Sequence, residues 1–584
     1  MSGLVHPLAG DQARAVDPVE SVWLSASAGT GKTQVLSARV LRLLLHPDVR
    51  PEQILCLTFT KAGAAEMAER VNAVLASWVR MKPEALAKDL FAIGAPGDAD
   101  TQARARTLFA SVLDCPGGGL RIDTIHAFAQ WLLAAFPEEA GLIPGTRPME
   151  DRDRELLAHR VLADLLVDWE EHGDRTAIAA LEMLSLRMGP NAARRWLMRC
   201  AEARDAWFGP GGWQEPLETR VRQLIGLAAD AGPQSLAALC ADDVFDSGAL
   251  RLCHAINAAW SAKTGQGNAE RIAAWLAGDA AARADAIDDL FDVFFTKSGE
   301  LRASASQDKI DAAYRQHVER VAVCIGAVVE HRALLDLAAL LTPALSVGRR
   351  FALAWEEAKT REALVDFDDL IRRAAGLLAK DGIGEWISYK LDRQFDHILV
   401  DEAQDTNSAQ WSIIRALTGD FFTGEGQRDG KLRTIFVVGD YKQAIFGFQG
   451  TSPENFAVAR GRYAQEIGDW ARNAQAMALE LRERPPRARE LLDLGLGRSY
   501  RTAQHVLDFV DKAIEAIGPA QFGLKDDPEP HVGDAGRPGL VALWKPVEAG
   551  IDEGDDGEEP QDWISEPERR MADRIAAQVK AMIG

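Results

Sequence analysis

The stretch Ala26-Ser27-Ala28-Gly29-Thr30-Gly31-Lys32-Thr33 decides the fold class of this chain. It follows a short apolar run at 22–25 and precedes a helical pattern from Gln34 to Leu45, which gives the order strand, glycine-rich turn, helix. Glycines in such a turn let successive main-chain N–H groups and the helix N-terminus face an anion. The sequence therefore predicts a phosphate-binding loop whose eight residues all line the ligand.

Two side chains of this loop are predicted to carry its chemistry. Lys32 is expected to reach the β- and γ-phosphate oxygens, and the Thr33 hydroxyl to ligate Mg²⁺. The usual pattern begins with glycine, whereas Ala26 stands there in this chain. A nucleoside triphosphate with Mg²⁺ is the predicted ligand.

A second apolar run, 395–400, ends in Asp401 and Glu402. In doubly wound sheets, ligands bind in the crevice outside the carboxyl ends of the strands, where these acids are expected to lie. Asp401 is predicted to bind Mg²⁺ directly or through water, and Glu402 to activate the attacking water. An acidic pair after an apolar run often marks only a strand end. Its occurrence together with Lys32 and Thr33 favours the catalytic interpretation.

Two carboxamides and one acidic cluster are further candidates. Gln443 follows a third strand-like run at 434–438 and is placed to sense a γ-phosphate. Gln12 lies twenty residues before Lys32, and a carboxamide can pair with adenine N6 and N7, although an ordinary surface residue is the alternative. The three acids within 366–369 also fit a solvated helix start.

The organisation of the chain follows from where strand-like runs occur. A further buried strand is predicted at 54–57, and a long stretch from about Phe128 to Glu362 has helical spacing throughout before strand-like runs return. Short strands alternating with helices predict a parallel sheet covered by helices on both faces. We therefore expect an α/β fold interrupted by a large all-helical insertion.

Composition sets limits on the class of protein. The chain has 584 residues, of which 47% are apolar and 26% charged, typical of folded globular protein. No stretch reaches the roughly 18 apolar residues of a membrane span, and residues 1–10 do not resemble a secretion signal, so a cytoplasmic location is expected. The six cysteines are widely spaced and predict neither a zinc site nor a disulfide scaffold. The net charge of −21 disfavours non-specific binding to polyanions but allows a local basic groove.

The ordered motifs resemble those of the UvrD-like superfamily 1 DNA helicases. Within that superfamily the chain is most similar to the AddA branch, the RecB-related helicase–nuclease subunits of double-strand break repair, because of its long insertion and the wording of its phosphate loop. The motifs that carry the resemblance are Gln12, 26–33, 58–60 with 66–67, 124–128, 366–370, 401–405, 438–450 and 499–502.

The resemblance implies a domain plan and a class of activity. A RecA-like first motor domain comprises 1–127 and 363–495, a helical domain fills 128–362, and 496–584 begins a second motor domain. The implied activity is that of an ATP- and Mg²⁺-dependent DNA helicase of the 3′–5′ type. The implied partners are single- and double-stranded DNA and an AddB-like protein, with nucleoid association when bound to DNA and no membrane contact.

The resemblance also assigns roles to single residues. Gln404 and Gln443 link the nucleotide to the DNA groove, and Arg501 is an arginine finger that stabilises charge in the phosphoryl-transfer transition state. Phe59 and Phe448 match aromatic residues on which bases stack, without reading base sequence. His126 is expected to hydrogen-bond either DNA or the loops of the motor itself. Relatives often have arginine where Gln449 stands, so one phosphate contact is expected to be weaker.

Two family motifs that follow the arginine finger, and a terminal nuclease pattern, do not occur between Thr502 and Gly584. We therefore expect the chain to be the N-terminal part of a longer protein, and to bind MgATP while hydrolysing it weakly. Two alternative functions are a free-standing UvrD-type or Rep-type repair helicase and, for this chain alone, an ATP-gated module that binds single-stranded DNA without efficient turnover.

Overall fold

The computed structural model describes residues 5–115, 119–209, 211–302, 305–419, 421–422, 431–444, 447, 450–481, 489–522, 529–547 and 566–583. The chain divides into two compact units. Unit 1 comprises Met1–Leu142 and Phe367–Gly584, and unit 2 comprises Ile143–Asp366. Each unit has its own hydrophobic core.

The centre of unit 1 is a parallel sheet with six strands among the described residues. Its strands are β1 (Val22–Ala26), β2 (Ile54–Thr58), β3 (Arg121–Thr124), β6 (His397–Val400), β7 (Thr434–Gly439) and β8 (Leu492–Leu496). They lie in the order β3-β2-β6-β7-β1-β8. Every residue of β2, β6 and β7 is buried, which explains their nearly continuous apolar sequences.

Helices of unit 1 cover the sheet. Before unit 2 they are α1 (Asp11–Ala15), α2 (Lys32–Leu45), α3 (Lys61–Arg80), α4 (Pro83–Ala92), α5 (Ala99–Leu113) and α6 (Ile125–Ala135). On α2 and α3, apolar residues such as Leu36, Leu41 and Trp78 recur at helical spacing and enter the core.

Unit 2 is helical apart from two short paired strands, β4 (Arg147–Pro148) and β5 (Leu364–Val365). Its longest helix has 48 residues, and Phe351 and Trp355 on it are almost fully buried. The helices are α7 (Asp151–Glu171), α8 (Arg175–Met188), α9 (Pro190–Glu202), α10 (Arg204–Phe208), α11 (Glu218–Leu224), α12 (Pro233–Ala238), α13 (Ser247–Ala259), α14 (Lys263–Ala277), α15 (Ala280–Asp285), α16 (Ile287–Phe294) and α17 (Tyr314–Arg361).

The chain then returns to unit 1, and its last described part forms a second, two-stranded parallel sheet of β9 (Arg498–Ala503) and β10 (Val532–Asp534). The remaining helices are α18 (Phe367–Leu378), α19 (Ile383–Asp392), α20 (Ser408–Thr418), α21 (Pro453–Leu481), α22 (Gln504–Ile517) and α23 (Glu566–Ile583). Among the described residues, no helix combines the length and apolar character needed to cross a bilayer.

The predicted fold class is confirmed: a parallel sheet is flanked by helices and interrupted by a long helical segment. Because all six strands run parallel, their carboxyl ends meet at one edge of the sheet. The register brings Ser25 of β1 beside Gly439 of β7, and Leu57 of β2 beside Val400 of β6. The loops that follow these strands therefore share one edge.

Candidate nucleotide-binding site

The phosphate loop leaves β1 after Ala26 and enters α2 at Lys32. Gly29 and Gly31 have φ of +76° and +89°, a conformation that glycine adopts without the strain of a Cβ. The Thr30 hydroxyl donates to the Ser27 carbonyl at 2.8 Å and closes the turn. No side chain of the described residues caps the N-terminus of α2, so its first N–H groups remain available to an anion.

Gln12 is buried and lies against the loop itself. Its Nε2 donates to the Thr30 carbonyl at 3.0 Å, and its Oε1 accepts from the Ala9 N–H at 3.4 Å. The surface alternative for Gln12 does not agree with this burial. Its pairing with adenine remains a prediction, because the carboxamide here supports the backbone of the loop.

The acidic strand end faces the loop across the sheet edge. Lys32 Nζ lies 3.0 Å from Glu402 Oε2, although 370 residues separate the two in sequence. Glu402 has a left-handed backbone, with φ of +49°, and its N–H donates to Asp401 Oδ1 at 3.0 Å. This compact turn directs two adjacent carboxylates to one place.

Gln404 connects this acidic turn to the end of β7. Its Nε2 donates to Glu402 Oε2 at 2.8 Å, and its Oε1 accepts from the Asp440 N–H at 2.9 Å. The approach is close because Gly439 has no side chain: a Cβ there would lie 2.8 Å from Gln404 Oε1 and 2.9 Å from Phe456 Cε2. Gln404 thus orients the Glu402 carboxylate and spans two adjacent strands.

The carboxyl groups around Lys32 resist ionisation. Burial, with the neighbouring charge of Glu402, raises the pKa of Asp401 to about 7. Burial and Glu402 also raise the pKa of Asp405 to about 6, and burial raises the pKa of Asp440. Crowded, poorly solvated carboxylates beside one lysine form a site that an added cation would stabilise.

The residues present fit Mg²⁺. The Thr33 hydroxyl and the Asp401 carboxylate are hard oxygen donors of the kind that Mg²⁺ prefers, and Mg²⁺ sites use one or two carboxylates together with phosphate oxygens. The raised pKa of Asp401 records an excess of negative charge that a divalent cation would relieve.

Arg501 and Gln443 lie outside this cluster of contacts. Arg501 is on β9, where the Tyr500 N–H donates to the Gly29 carbonyl at 2.8 Å, so the strand touches the phosphate loop through its backbone. Gln443 is exposed on the 3₁₀ turn Tyr441–Gln443. Within the described ranges, no hydrogen bond joins either side chain to Lys32 or Glu402, and their roles at the γ-phosphate remain predictions.

Two of the residues predicted to contact DNA lie at the same sheet edge. Phe59 directly follows β2 and His126 begins α6 just after β3, in register with each other through Thr58 and Thr124. His126 packs edge-on against Phe367 at 5.8 Å, and burial lowers its pKa, so it is neutral at pH 7. Phe448, with Phe446 and Gln449, lies outside the described residues.

Two features near the site were not given a role from sequence. Asp405 was quoted within a motif, but its burial beside Lys32 and Glu402 follows only from the fold of the turn Ala403–Asp405. Of the acidic cluster at 366–369, Asp369 is buried and paired with Arg372, which is a structural role rather than a solvated helix start.

These features define a P-loop nucleotide-binding protein with a RecA-like α/β core. The chain belongs to the family described as UvrD/REP helicase N-terminal domain, which it matches over residues 8–464. The predicted family is thereby confirmed.

Relatives of known name fall within the predicted branch. The ATP-dependent helicase/nuclease AddA protein of Moorella thermoacetica is 27% identical over 495 residues, covering 77% of this chain and 32% of that protein. Its namesake from Anoxybacillus flavithermus is 24% identical over 546 residues, covering 87% and 41%. That from Pelotomaculum thermopropionicum is 26% identical over 518 residues, covering 79% and 36%. The chain thus spans about a third to two fifths of the length of these relatives.

Proposed function

We propose that this chain is the ATP-hydrolysing motor of an AddA-type DNA helicase that acts in double-strand break repair. The observation that carries the proposal is the 3.0 Å contact between Lys32 and Glu402, because it joins a phosphate-binding lysine to an acid suited to activating water. Family membership and the names of the relatives support the same activity.

In the proposed mechanism, Lys32 exchanges partners. Without nucleotide its ammonium neutralises Glu402; when ATP binds, the triphosphate oxygens compete for Lys32, and Glu402 is released to orient the attacking water. Gln404 keeps the Glu402 carboxylate in place during this exchange, since it donates to the same oxygen, Oε2. Thr33 and Asp401 are the residues that hold Mg²⁺, which supplies neutralising charge at the phosphate oxygens.

Charge that develops on the transferred phosphoryl group is assigned to Arg501, with Gln443 as the sensor of the γ-phosphate. Arg501 is exposed on a strand whose backbone already touches the phosphate loop, so its guanidinium needs only a side-chain rearrangement to approach the ligand. Single-stranded DNA is proposed to stack on Phe59 and Phe448 and to meet His126. We further propose a cytoplasmic location and an AddB-like partner protein.

Steady-state ATP hydrolysis with and without single-stranded DNA tests the proposal. We expect DNA-stimulated turnover that Lys32→Ala and Glu402→Gln each reduce at least about 10³-fold, since each removes a group that acts in the transition state. Lys88→Ala and Glu84→Gln are matched controls on the exposed face of α4, and they should leave the rate unchanged.

Two outcomes would contradict the assignment. Full activity in either site variant would exclude the Lys32–Glu402 pair as the catalytic centre. Nucleotide binding that changes DNA affinity without any turnover would instead favour the ATP-gated binding module.

A further inference from the structure

The turn that carries Gln443 is attached to a segment far away in sequence. Lys442 Nζ lies 3.1 Å from His531 Nε2 and 3.4 Å from the Glu529 carbonyl oxygen. Lys442 is half-buried, and burial lowers its pKa while Asp440 and Asp511 oppose that change. Its side chain is therefore committed to the protein rather than to solvent.

The imidazole of His531 is held in one orientation by Asp511. One carboxylate oxygen of Asp511 accepts the His531 main-chain N–H at 2.9 Å, and the other faces Nδ1 of the ring. Since a carboxylate can only accept, Nδ1 carries the proton and the lone pair of Nε2 is left to accept from the Lys442 ammonium. Asp511 thus fixes both the tautomer and the direction of the ring.

The His531 segment is in turn fixed to the strand of Arg501. Gln504 donates to the His531 carbonyl at 3.1 Å and accepts from the Gly533 N–H at 2.6 Å. Strand β10, which starts at Val532, pairs in parallel with β9, which contains Arg501. A displacement of His531 would therefore move the backbone of the predicted arginine finger.

The other end of the Lys442 turn is fixed to the acidic strand end. The Asp440 N–H donates to Gln404, which holds Glu402, and Asp440 Oδ1 accepts the Lys442 N–H at 3.2 Å. A continuous series of polar contacts thus runs from Glu402 through Lys442 and His531 to β9. Within it, the Lys442–His531 contact joins the Gln443 turn to the segment of the predicted finger.

We propose that Lys442 and His531 form a positioning pair that sets the Gln443 turn against the Arg501 strand for ATP hydrolysis. This inference rests on the proposed function, and neither residue is assigned a contact with nucleotide. Misplacing a catalytic group by about 1 Å can cost on the order of 10²-fold in rate, so one such contact can govern turnover.

A double-mutant cycle on the full 584-residue chain tests the pair. ATP turnover is measured for wild type, Lys442→Met, His531→Leu and the double variant, with single-stranded DNA present. His531→Gln keeps an acceptor for Lys442, and His505→Leu removes an exposed histidine from α22 as the matched control. Circular dichroism and binding of a fluorescent ATP analogue establish that each variant folds and keeps its phosphate loop.

We expect each single variant to lower kcat about tenfold, with the KM for MgATP changed less than about threefold. The double variant should be no slower than the slower single variant, because the two residues act as one unit. His531→Gln should retain most of the rate lost in His531→Leu, and His505→Leu should match wild type.

The contrary results separate this inference from the proposed function. If Lys32→Ala abolishes turnover but the losses of the two single variants multiply in the double, the positioning pair is wrong and the motor assignment stands. The same holds if kcat does not change. A wild-type rate no higher than that of Lys32→Ala overturns the proposed function and this inference with it. Should His531→Leu fail to fold, a kcat of Lys442→Met equal to wild type refutes the pair.

Discussion

A single hydrogen atom separates the phosphate loop from the strand of Arg501. A Cβ at Gly29 would lie 2.6 Å from Arg501 Cβ and from Ser499 Oγ, closer than such atoms can approach. We expect Gly29→Ala to lower the free energy of unfolding by about 2–4 kcal/mol, of which about 1 kcal/mol is backbone strain and the rest overpacking. Urea unfolding measures the change, and weaker binding of an ATP analogue should accompany it.

Gly518→Ala separates the two contributions. Gly518 also has a positive φ, +94°, but a Cβ there has no heavy atom within 4 Å. Its substitution should therefore cost only the backbone strain. Equal losses of stability in the two variants would show that β9 does not press on the phosphate loop.

A second prediction at this scale concerns His397 on β6. Its Nδ1 accepts from the Thr434 hydroxyl at 2.8 Å, and the buried Arg39 donates to the same hydroxyl at 3.1 Å. Burial, followed by the charge of Arg39, lowers the pKa of His397 to about 3. The folded state therefore binds fewer protons than the unfolded state below about pH 6.5, so stability is complete above that pH and falls as the pH decreases.

Between pH 7 and pH 5 this histidine alone should cost about 2 kcal/mol of stability. His397→Asn keeps a polar atom near Thr434 but cannot titrate, so its unfolding free energy should fall less over the same interval. Parallel pH profiles for wild type and His397→Asn in urea titrations would refute the assignment.

At the scale of elements, the sequence predicts what depends on local pattern. The apolar runs ending at Asp401 and near Gly439 predict the buried strands because parallel strands need apolar residues on both faces. The loop from Ala26 to Thr33 is predictable because its glycines and its position between strand and helix are local features. The helical insertion is predictable from residue spacing in the same way.

Contacts between distant segments could not be predicted. Nothing in the spacing of Lys442 and His531, 89 residues apart, indicates that they meet, because that contact depends on how α22 and β10 pack. The burial of Asp405 and the support that Gln12 gives to Thr30 likewise follow from the folded backbone. Whether Arg501 and Gln443 reach a γ-phosphate stays a prediction.

Helix α21 supplies the prediction that belongs to elements. Its Phe456 packs on Trp23 of β1, with ring centroids 4.9 Å apart, and touches the space above Gly439. Gly439→Ala should lower the free energy of unfolding by about 1–3 kcal/mol through overpacking, and should slow ATP turnover because Gln404 is displaced from Glu402. Urea unfolding and steady-state kinetics report the two effects.

Adding Phe456→Leu to Gly439→Ala removes the ring edge that the new methyl group meets. We expect this double variant to recover part of the lost stability but little of the lost turnover, since the contact with Gln404 Oε1 remains. Val458→Ala, at an exposed position on the same helix, should change neither quantity. Full recovery of turnover in the double variant would assign the effect to Phe456 instead of Gln404.

At the scale of the whole molecule, the nucleotide site is built within unit 1, while unit 2 has cores of its own around Leu197, Phe351 and Cys253. Units with separate cores can unfold in separate steps, and a ligand stabilises only the unit that binds it. Calorimetry should therefore record two thermal transitions. An ATP analogue with Mg²⁺ should raise the midpoint of one of them and leave the other unchanged.

Core variants assign the two transitions to their units. Leu75→Ala in unit 1 and Leu197→Ala in unit 2 each remove a fully buried side chain, a change that costs about 2–5 kcal/mol. Leu75→Ala should lower the transition that responds to nucleotide, and Leu197→Ala the other one. If both variants lower one common transition, or if nucleotide raises both midpoints equally, the two units unfold together, and ATP binding in unit 1 then stabilises the helical unit as well.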